Sequence, residues 1–206
     1  MEHVLLVVSW VLFGVFHSFF AAPSIKQRAE RMMGKHFKWY RPLYSIMAFI
    51  QTAAILYYQF SIKSVKLWEP ETEDLFLFGL TGLLGLVVMG ILIRKYFYNL
   101  SGVQALYKKT PLPVLETKGM HEYVRHPLYA GTLLFAWSAF FLFPVLSYLL
   151  TCAVITIYTI VGIKLEERKL KTLFGHQYSS YKNHVPMIIP FTKFGKLSKA
   201  LPKKLS

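Results

Sequence analysis

A group of ionisable and aromatic side chains lies between two long apolar runs, in the stretch HEYVRHPLYAG at residues 121–131. Arg125 offers a rigid, permanently charged fork that suits a carboxylate, and His126 offers a hydrogen-bond donor or acceptor near neutral pH. Pro127 suits the first turn of a helix, and Gly131 permits close approach of another backbone or of a ligand. Such charges are costly at a membrane boundary unless they bind a ligand or one another. The alternative is a cationic anchor at the start of a helix.

A second polar cluster, KLEERKLK at residues 164–171, follows the last apolar run. The adjacent carboxylates of Glu166 and Glu167 point about 100° apart on a helix, so they do not serve the same point. Glu167 has Lys171 four residues on as an ion-pair partner. We therefore expect one carboxylate to bind a ligand while the other pairs locally. The alternative is a solvated helix end with local ion pairs.

Histidines give a further functional hypothesis but no metal site. His17 lies inside the first apolar run, where an ionisable group is a functional candidate by default, and a hydrogen-bonded structural role is the alternative. His121 and His126 are five residues apart, which is poor spacing for two ligands on one helix face. Since Cys152 is the single cysteine, a cysteine-cluster metal site is excluded. We predict no metal.

The composition indicates an all-α integral membrane protein with one domain. The chain of 206 residues is 54% hydrophobic and 17% charged. Its net charge of +14 does not indicate nucleic acid, because the Lys and Arg residues lie between apolar runs, where they indicate topology and contact with anionic lipids. The runs predict about five transmembrane helices, at residues 4–22, 42–60, 75–93, 128–143 and 145–163. A polar C-terminal segment follows at residues 164–206, with a flexible tail from about residue 192.

The third predicted span contains Gly79, Gly82, Gly85 and Gly90. Their spacing only superficially resembles a nucleotide-binding loop, because no strand precedes them and they lie within an apolar run. Small residues in a membrane helix allow close approach of a neighbouring helix. We therefore expect these glycines to serve helix packing.

The distribution of basic residues predicts the orientation. Residues 24–41, 94–127 and 164–206 contain 22 of the 24 Lys and Arg residues, and only Lys63 and Lys66 lie on the other side. Cytoplasmic loops carry the excess of Lys and Arg. With five spans, the C-terminus and both polar clusters are therefore expected at the cytoplasmic face.

Three motifs together carry a family resemblance. RHPLYAG is followed after about 35 residues by EERKL and then by FGHQYSSYKNHVPMIIP. The combination resembles the isoprenylcysteine carboxyl methyltransferase family of membrane-embedded S-adenosylmethionine methyltransferases, which includes phospholipid N-methyltransferases. The similar part runs from about Leu100 to Pro190. The N-terminal FGVFHSFFAAPSIK and the following YRPLYS are similar to the NnrU-type and methanethiol S-methyltransferase branch.

The resemblance implies S-adenosylmethionine bound at the cytoplasmic face, with a small or lipophilic methyl acceptor arriving through the bilayer. The site would be built from the loop before the fourth helix and from the C-terminal segment. Arg125, His126 and His17 are the catalytic candidates. The implied cofactor-binding residues are Tyr123, Arg125, His126, Pro127, Tyr129, Gly131, Glu166, Glu167, Tyr178 and Tyr181.

The sequence does not decide which molecule accepts the methyl group. The N-terminal resemblance favours a thiol, whereas the C-terminal motifs also allow the carboxylate of a prenylated cysteine or a lipid amine. A thiol must lose a proton, and His126, His121 and His17 are candidates to take it. Two other classes of protein are alternatives: an NADPH-dependent membrane reductase with a related C-terminal half, and a non-enzymatic membrane scaffold or transporter.

Overall fold

The computed structural model describes residues 1–101, 103, 106 and 114–192. Within these ranges the regular structure is helical, apart from one isolated bridge between Lys66 and Val145. Short 3-10 helices lie at Gly34–Trp39 and Gly119–Glu122. The α-helices are α1 Glu2–Ala21, α2 Pro23–Met33, α3 Tyr40–Ser61, α4 Thr72–Leu100, α5 Pro127–Leu142 and α6 Leu146–His184.

Four helical stretches of the described chain are long and apolar enough to cross a membrane: Glu2–Ala21, Pro23–Ser61, Thr72–Phe97 and Leu146–His184. Helix α5, with 16 residues, is a shorter apolar helix. The prediction of an all-α integral membrane protein is confirmed. Helix α4 extends beyond the predicted span of residues 75–93, because long side chains such as Arg94 and Lys95 favour helix and can reach toward the membrane surface.

Hydrogen bonds join helix ends at each of the two ends of the bundle, as expected for helices that cross a membrane one after another. At one end, Nε2 of His3 lies 3.0 Å from Oγ of Ser64, and the backbone N–H of Ser147 donates to the same oxygen at 2.8 Å. These bonds join the start of α1, the loop after α3 and the turn before α6. At the opposite end, the hydroxyl of Tyr40 donates to the carbonyl of Phe20 at 2.9 Å.

A buried polar chain connects α1, α3 and α6 inside the bundle. The indole N–H of Trp10 donates to Oγ1 of Thr151 at 3.0 Å, and this hydroxyl donates to Oε1 of Gln59 at 2.6 Å. All three residues are buried. Because an unpaired polar group is costly in hydrocarbon, such a chain favours one arrangement of the three helices.

Helices α4 and α5 pack through glycines at very short range. A Cβ added at Gly85 would lie 2.8 Å from the backbone N of Phe135 and 2.9 Å from the carbonyl oxygen of Gly131. Gly82 packs similarly against Ser138, whereas nothing lies within 4 Å of a Cβ at Gly79 or Gly90. The packing prediction is confirmed for two of the four glycines. At Gly131 the close neighbours of such a Cβ are the Val88 side chain at 3.0 Å and the carbonyl oxygen of Gly85 at 3.1 Å.

Helix α6 kinks near its C-terminal end and leads into a docked extended segment. Gly175 has φ 51°, a backbone conformation that suits glycine, and the helix resumes after it as far as His184. The predicted helix stop at Gly175 is therefore a kink. The predicted flexible tail from about residue 192 falls almost wholly outside the described residues.

We expect Gly85→Leu to destabilise the α4–α5 pair, because the new side chain would meet the backbone of α5. Overpacking of this kind costs about 1–3 kcal/mol. Thermal unfolding of the purified protein in detergent would measure the loss. The matched control is Gly90→Leu on the same helix, where a Cβ meets nothing within 4 Å. Equal melting temperatures for the two variants would contradict the packing account.

Candidate functional site

The two polar clusters of the sequence meet at a buried ion pair between Arg125 and Glu167. Nε and Nη2 of Arg125 both donate to Oε1 of Glu167, at 2.9 and 2.6 Å. The side chains are 5% and 10% exposed. Since a lone buried charge is strongly disfavoured, each group requires the other to be in place. The local partner predicted for Glu167, Lys171, is not the one that the fold provides.

The remaining donors of Arg125 hold the C-terminal segment. Nη1 donates to the carbonyls of Val185 and Lys182, and the backbone N–H of Arg125 donates to the carbonyl of Pro186 at 2.8 Å. The N–H of His126 donates to the carbonyl of Met187 at 3.1 Å. The guanidinium is therefore engaged by the chain itself. Its role here is to position other groups, and the carboxylate that it holds is Glu167.

Lys182 and His126 complete the surroundings of Glu167. Nζ of Lys182 donates to Oε2 at 2.6 Å, while Nε2 of His126 lies 3.4 Å from Oε1. Burial lowers the pKa of His126, and the nearby carboxylates of Glu166 and Glu167 only partly oppose this effect. Because Glu167 is already neutralised by two cations, His126 is favoured as a neutral imidazole.

Glu166 has a different environment from its neighbour. Its side chain is 46% exposed, and Oε2 lies 3.8 Å from Nδ1 of His126. Tyr129, the residue in the first turn of α5, lies within electrostatic reach of it and against the His126 ring, with centroids 5.8 Å apart. The two neighbouring carboxylates therefore differ: Glu167 is paired inside the protein, whereas Glu166 is half-exposed.

An open face of α6 leads from Glu166 into the bundle. Tyr158, Gly162 and Glu166 are four residues apart, so they lie on one stripe of the helix. Nothing lies within 4 Å of a Cβ built at Gly162. The stripe therefore has free space at its centre, with a phenol on one side and a carboxylate on the other. We call it the Gly162 face.

Cations surround the outer end of the Gly162 face. Lys26 of α2 interacts electrostatically with Arg41 of α3 and with Lys169 of α6. Lys169 follows Glu166 by three residues and so lies on a neighbouring part of the same helix surface. Like charges held together favour an anion between them.

A second polar cleft, of about 400 Å³, opens on the other side of Glu167. It lies along α6 before and after the kink, and half of its lining residues are cationic. The only carboxylate in that lining is Glu167, which Arg125 and Lys182 already engage. The lining residues are Lys164, Glu167, Arg168, Lys171, Tyr178, Ser179, Lys182 and Asn183.

Several of the residues that the resemblance implies for cofactor binding are engaged in packing or hydrogen bonds within the fold. Tyr178 and Tyr181 share a face, as expected, but both are buried in a small core with Val185. The hydroxyl of Tyr181 donates to the carbonyl of His121 at 2.6 Å. Tyr123 is 60% exposed. Pro127 begins α5 as expected for the first helical turn, and Gly131 faces α4, away from Glu166.

His17 lies apart from the ion pair, between α1, α3 and α6. Its ring contacts those of Phe13, Tyr44 and Tyr158, with centroid distances of 5.5, 5.0 and 6.4 Å. Nδ1 is buried and has no hydrogen-bond partner among the described residues. Tyr158 belongs both to this aromatic group and to the Gly162 face, and therefore connects the two regions.

Sequence reasoning missed Tyr158, Gly162 and the cations Lys26 and Arg41. A signal was present for the first two, because both precede Glu166 at helical spacing within the last apolar run. The cations carried no such signal, since α2 and α3 come from a distant part of the chain. Lys182 was missed for the same reason, because only the kink at Gly175 returns it to Glu167.

We expect Arg125→Ala to release the segment after α6, because it removes the guanidinium contacts with Glu167, Lys182 and Val185. Lys182 then remains as the cation that donates to the buried Glu167. Breaking a buried pair costs about 3–5 kcal/mol. Arg125→Lys should not rescue the loss, since an ammonium cannot reproduce the guanidinium fork. Limited proteolysis around residues 185–192 measures the release. The control is Arg168→Ala on the exposed surface of α6, and similar cleavage of both variants would contradict this role.

The chain is similar to proteins that are named methyltransferases. Methanethiol S-methyltransferase 1 of Bradyrhizobium diazoefficiens is 33% identical over 88% of this chain and 65% of its own length. Methanethiol S-methyltransferase of Crocosphaera subtropica is 28% identical over 90% of this chain and 75% of its own length. Protein-S-isoprenylcysteine O-methyltransferase B of Arabidopsis thaliana is 30% identical over 55% of this chain and 58% of its own length.

The chain thus spans 65% of the length of the Bradyrhizobium relative. No solved structure matches it significantly. The family described as NnrU protein matches residues 5–192, which include α1, the Arg125–Glu167 pair and the docked C-terminal segment. On the extent of that match, the chain belongs to the NnrU protein family.

Proposed function

We propose that this membrane protein transfers a methyl group from S-adenosylmethionine to a small thiol. The proposal draws on relatives that are named methanethiol S-methyltransferases and that match most of this chain. The observation that carries it is the Gly162 face, where free space lies between a phenol, a half-exposed carboxylate and a group of cations. The Arg125–Glu167 pair holds the surrounding elements in place.

The residues of the Gly162 face fit the chemistry of this methyl donor. The donor carries a carboxylate, an ammonium group, ribose hydroxyls, an aromatic base and a sulfonium. Lys26, Arg41 and Lys169 suit the carboxylate, while Glu166 suits the ammonium or the ribose hydroxyls. The ring of Tyr158 suits the sulfonium or the base. We do not assign Arg125 to the carboxylate, because it already donates to Glu167 and to backbone carbonyls.

The Gly162 face is a better donor site than the cationic cleft beside Lys171. The donor carries positive charge on its ammonium and sulfonium groups and needs a carboxylate partner. In the cleft the only carboxylate of the lining, Glu167, is already paired with Arg125 and Lys182. On the Gly162 face, Glu166 keeps a half-exposed carboxylate.

Methyl transfer requires alignment and exclusion of water more than a strong acid or base. When bound, S-adenosylmethionine supplies an electrophilic methyl group. Helices α1, α3 and α6 exclude water on the membrane side, and Glu166 with the nearby cations fixes the polar end. His126 supports Glu166 from 3.8 Å and links it to the buried pair. We place this polar end on the cytoplasmic side, in line with the distribution of Lys and Arg.

A second candidate acceptor is the carboxylate of a prenylated cysteine. It is favoured by the match to protein-S-isoprenylcysteine O-methyltransferase B of Arabidopsis thaliana, which covers 55% of this chain. A carboxylate is already ionised at neutral pH, so its methylation needs no histidine as a general base.

The test of the function is methyl transfer from labelled S-adenosylmethionine by the purified protein in lipid nanodiscs. Methanethiol, a prenylcysteine and a lipid amine are supplied side by side. We expect the label to appear in a volatile thioether with methanethiol only. Transfer to the prenylcysteine alone would replace the thiol by the second candidate, and absence of both donor binding and transfer would reject the function.

Gly162→Leu tests the location of the donor. The larger side chain would fill the space between Tyr158 and Glu166, so we expect the affinity for S-adenosylmethionine to fall at least tenfold, which corresponds to about 1.4 kcal/mol. Calorimetric titration with the donor measures it. Lys171→Ala, in the cationic cleft, is the comparison and should bind normally. The reverse pattern would move the donor to the cleft.

A further inference from the structure

We propose that the thiol acceptor binds in the aromatic group around His17, and that Nδ1 of His17 takes its proton. This inference rests on the proposed function and adds the acceptor site to it. The group consists of Phe13, Tyr44 and Tyr158, and we call it the His17 cage.

The cage is built from three helices that converge on one imidazole. Phe13 and His17 are four residues apart on α1 and stack at 5.5 Å. Tyr44 of α3 lies 5.0 Å from the His17 ring and donates its hydroxyl to the His17 carbonyl at 3.0 Å. Tyr158 of α6 meets the ring edge-on at 6.4 Å. The imidazole is thus held in a largely apolar, aromatic surrounding that suits a small thiol.

Nδ1 of His17 is buried and lacks a hydrogen-bond partner among the described residues. An unpaired buried nitrogen is costly, so such an atom calls for a specific explanation. A thiol S–H donating to the imidazole lone pair would satisfy Nδ1. The same contact would prepare proton transfer, because a general base must lie within hydrogen-bond reach of the proton that it takes.

The two other candidate histidines have different surroundings. The nitrogens of His126 lie 3.4 Å from Glu167 and 3.8 Å from Glu166, so its ring belongs to the carboxylate network. His121 also has a buried Nδ1 without a partner among the described residues. Its ring, however, meets Tyr96 at 6.2 Å and lies in the 3-10 helix after α4, on a different element from the cage.

The cage adjoins the proposed donor site through Tyr158. On α6, Gly162 is four residues from Tyr158, which is about 6 Å along a helix axis. A thiol at Nδ1 of His17 and a donor on the Gly162 face would therefore both border the Tyr158 ring and meet past its edge, with the thiol sulfur about 3.5 Å from the methyl carbon. Such adjacency is what direct transfer between two bound molecules requires.

Three phenols lie between the cage and the half-exposed Glu166. Tyr158 is within electrostatic reach of Tyr44 and of Tyr129, and Tyr129 is within reach of Glu166. The polar groups around His17 are Ser18 from α1, Tyr44 from α3 with Arg41 near it, Tyr158 from α6, and Tyr129 from α5 behind Tyr158.

The chemical step balances with these groups alone. The thiol S–H bond breaks and its proton moves to Nδ1 of His17. The thiolate sulfur then forms a bond to the methyl carbon, while that carbon's bond to the sulfonium sulfur breaks and leaves its electron pair on that sulfur. The products are two neutral thioethers, and His17 returns its proton toward Glu166 and solvent.

His17→Gln is the decisive variant. At neutral pH we expect turnover with methanethiol to fall by about 10²-fold, the usual contribution of a general base, with unchanged affinity for S-adenosylmethionine. The rate of the variant should rise with pH as the thiol ionises by itself. Methaneselenol, which is already ionised at neutral pH, should be methylated by the variant at close to the wild-type rate. The control is His3→Gln, at the opposite end of α1.

Each outcome bears on either the cage or the function. Normal thiol turnover by His17→Gln would overturn the cage while leaving the function intact. Equal losses with thiol and selenol would overturn the role in proton removal, and a loss confined to His121→Gln would assign that role elsewhere. If the wild-type protein binds the donor but methylates no thiol, the proposed function and the cage fail together.

Gly14→Ala provides a second, milder variant. A Cβ at Gly14 would lie 2.9 Å from Cδ2 of Tyr158, so that ring must shift and the cage changes shape. We expect kcat/KM, measured at saturating S-adenosylmethionine because Tyr158 also borders the proposed donor site, to fall several-fold more for propanethiol than for methanethiol. Tyr158→Ala should do the opposite and raise the relative rate with propanethiol. Thiol selectivity unaltered in both variants would show that the acceptor binds elsewhere.

Discussion

The structure depends on the neutralisation of one buried carboxylate. Glu167 follows an apolar helix segment, and its charge would be prohibitive there without Arg125 and Lys182, which donate to its two oxygens. These two partners come from the start of α5 and from beyond the kink of α6. Because the pair cannot form unless both elements are in place, the same contact closes the polar end of the bundle and docks the segment after His184.

This contact also determines which residues remain for a ligand. Arg125 has the chemistry of a carboxylate ligand, but each of its three guanidinium nitrogens already donates to a partner. Glu166, one residue away from Glu167, points elsewhere and stays half-exposed. The free space over Gly162 then connects Glu166 with Tyr158 and the histidine of α1. A buried ion pair and a half-exposed carboxylate thus belong to adjacent residues of one helix.

The arrangement accounts for how an apolar bundle can present a polar site at one of its ends. Helix α5 is short and packs glycine against glycine on α4, so its N-terminal turn lies near the polar end of α6. The kink at Gly175 returns Lys182 toward Glu167. Both features bring side chains that are distant in sequence to one place, and the aromatic residues of α1, α3 and α6 separate that place from lipid.

The sequence by itself determined the helical membrane class, the approximate spans, the two polar clusters and the family, because hydrophobic runs, charge asymmetry and short motifs are local signals. It also indicated that one of Glu166 and Glu167 would pair within the protein, since adjacent helical residues diverge. Only the tertiary structure decided that Arg125, not Lys171, is the main partner of Glu167. The open space at Gly162 and the rings around His17 likewise required the fold. Their neighbours come from separate helices, and helix packing, which no local pattern records, sets which side chains face one another.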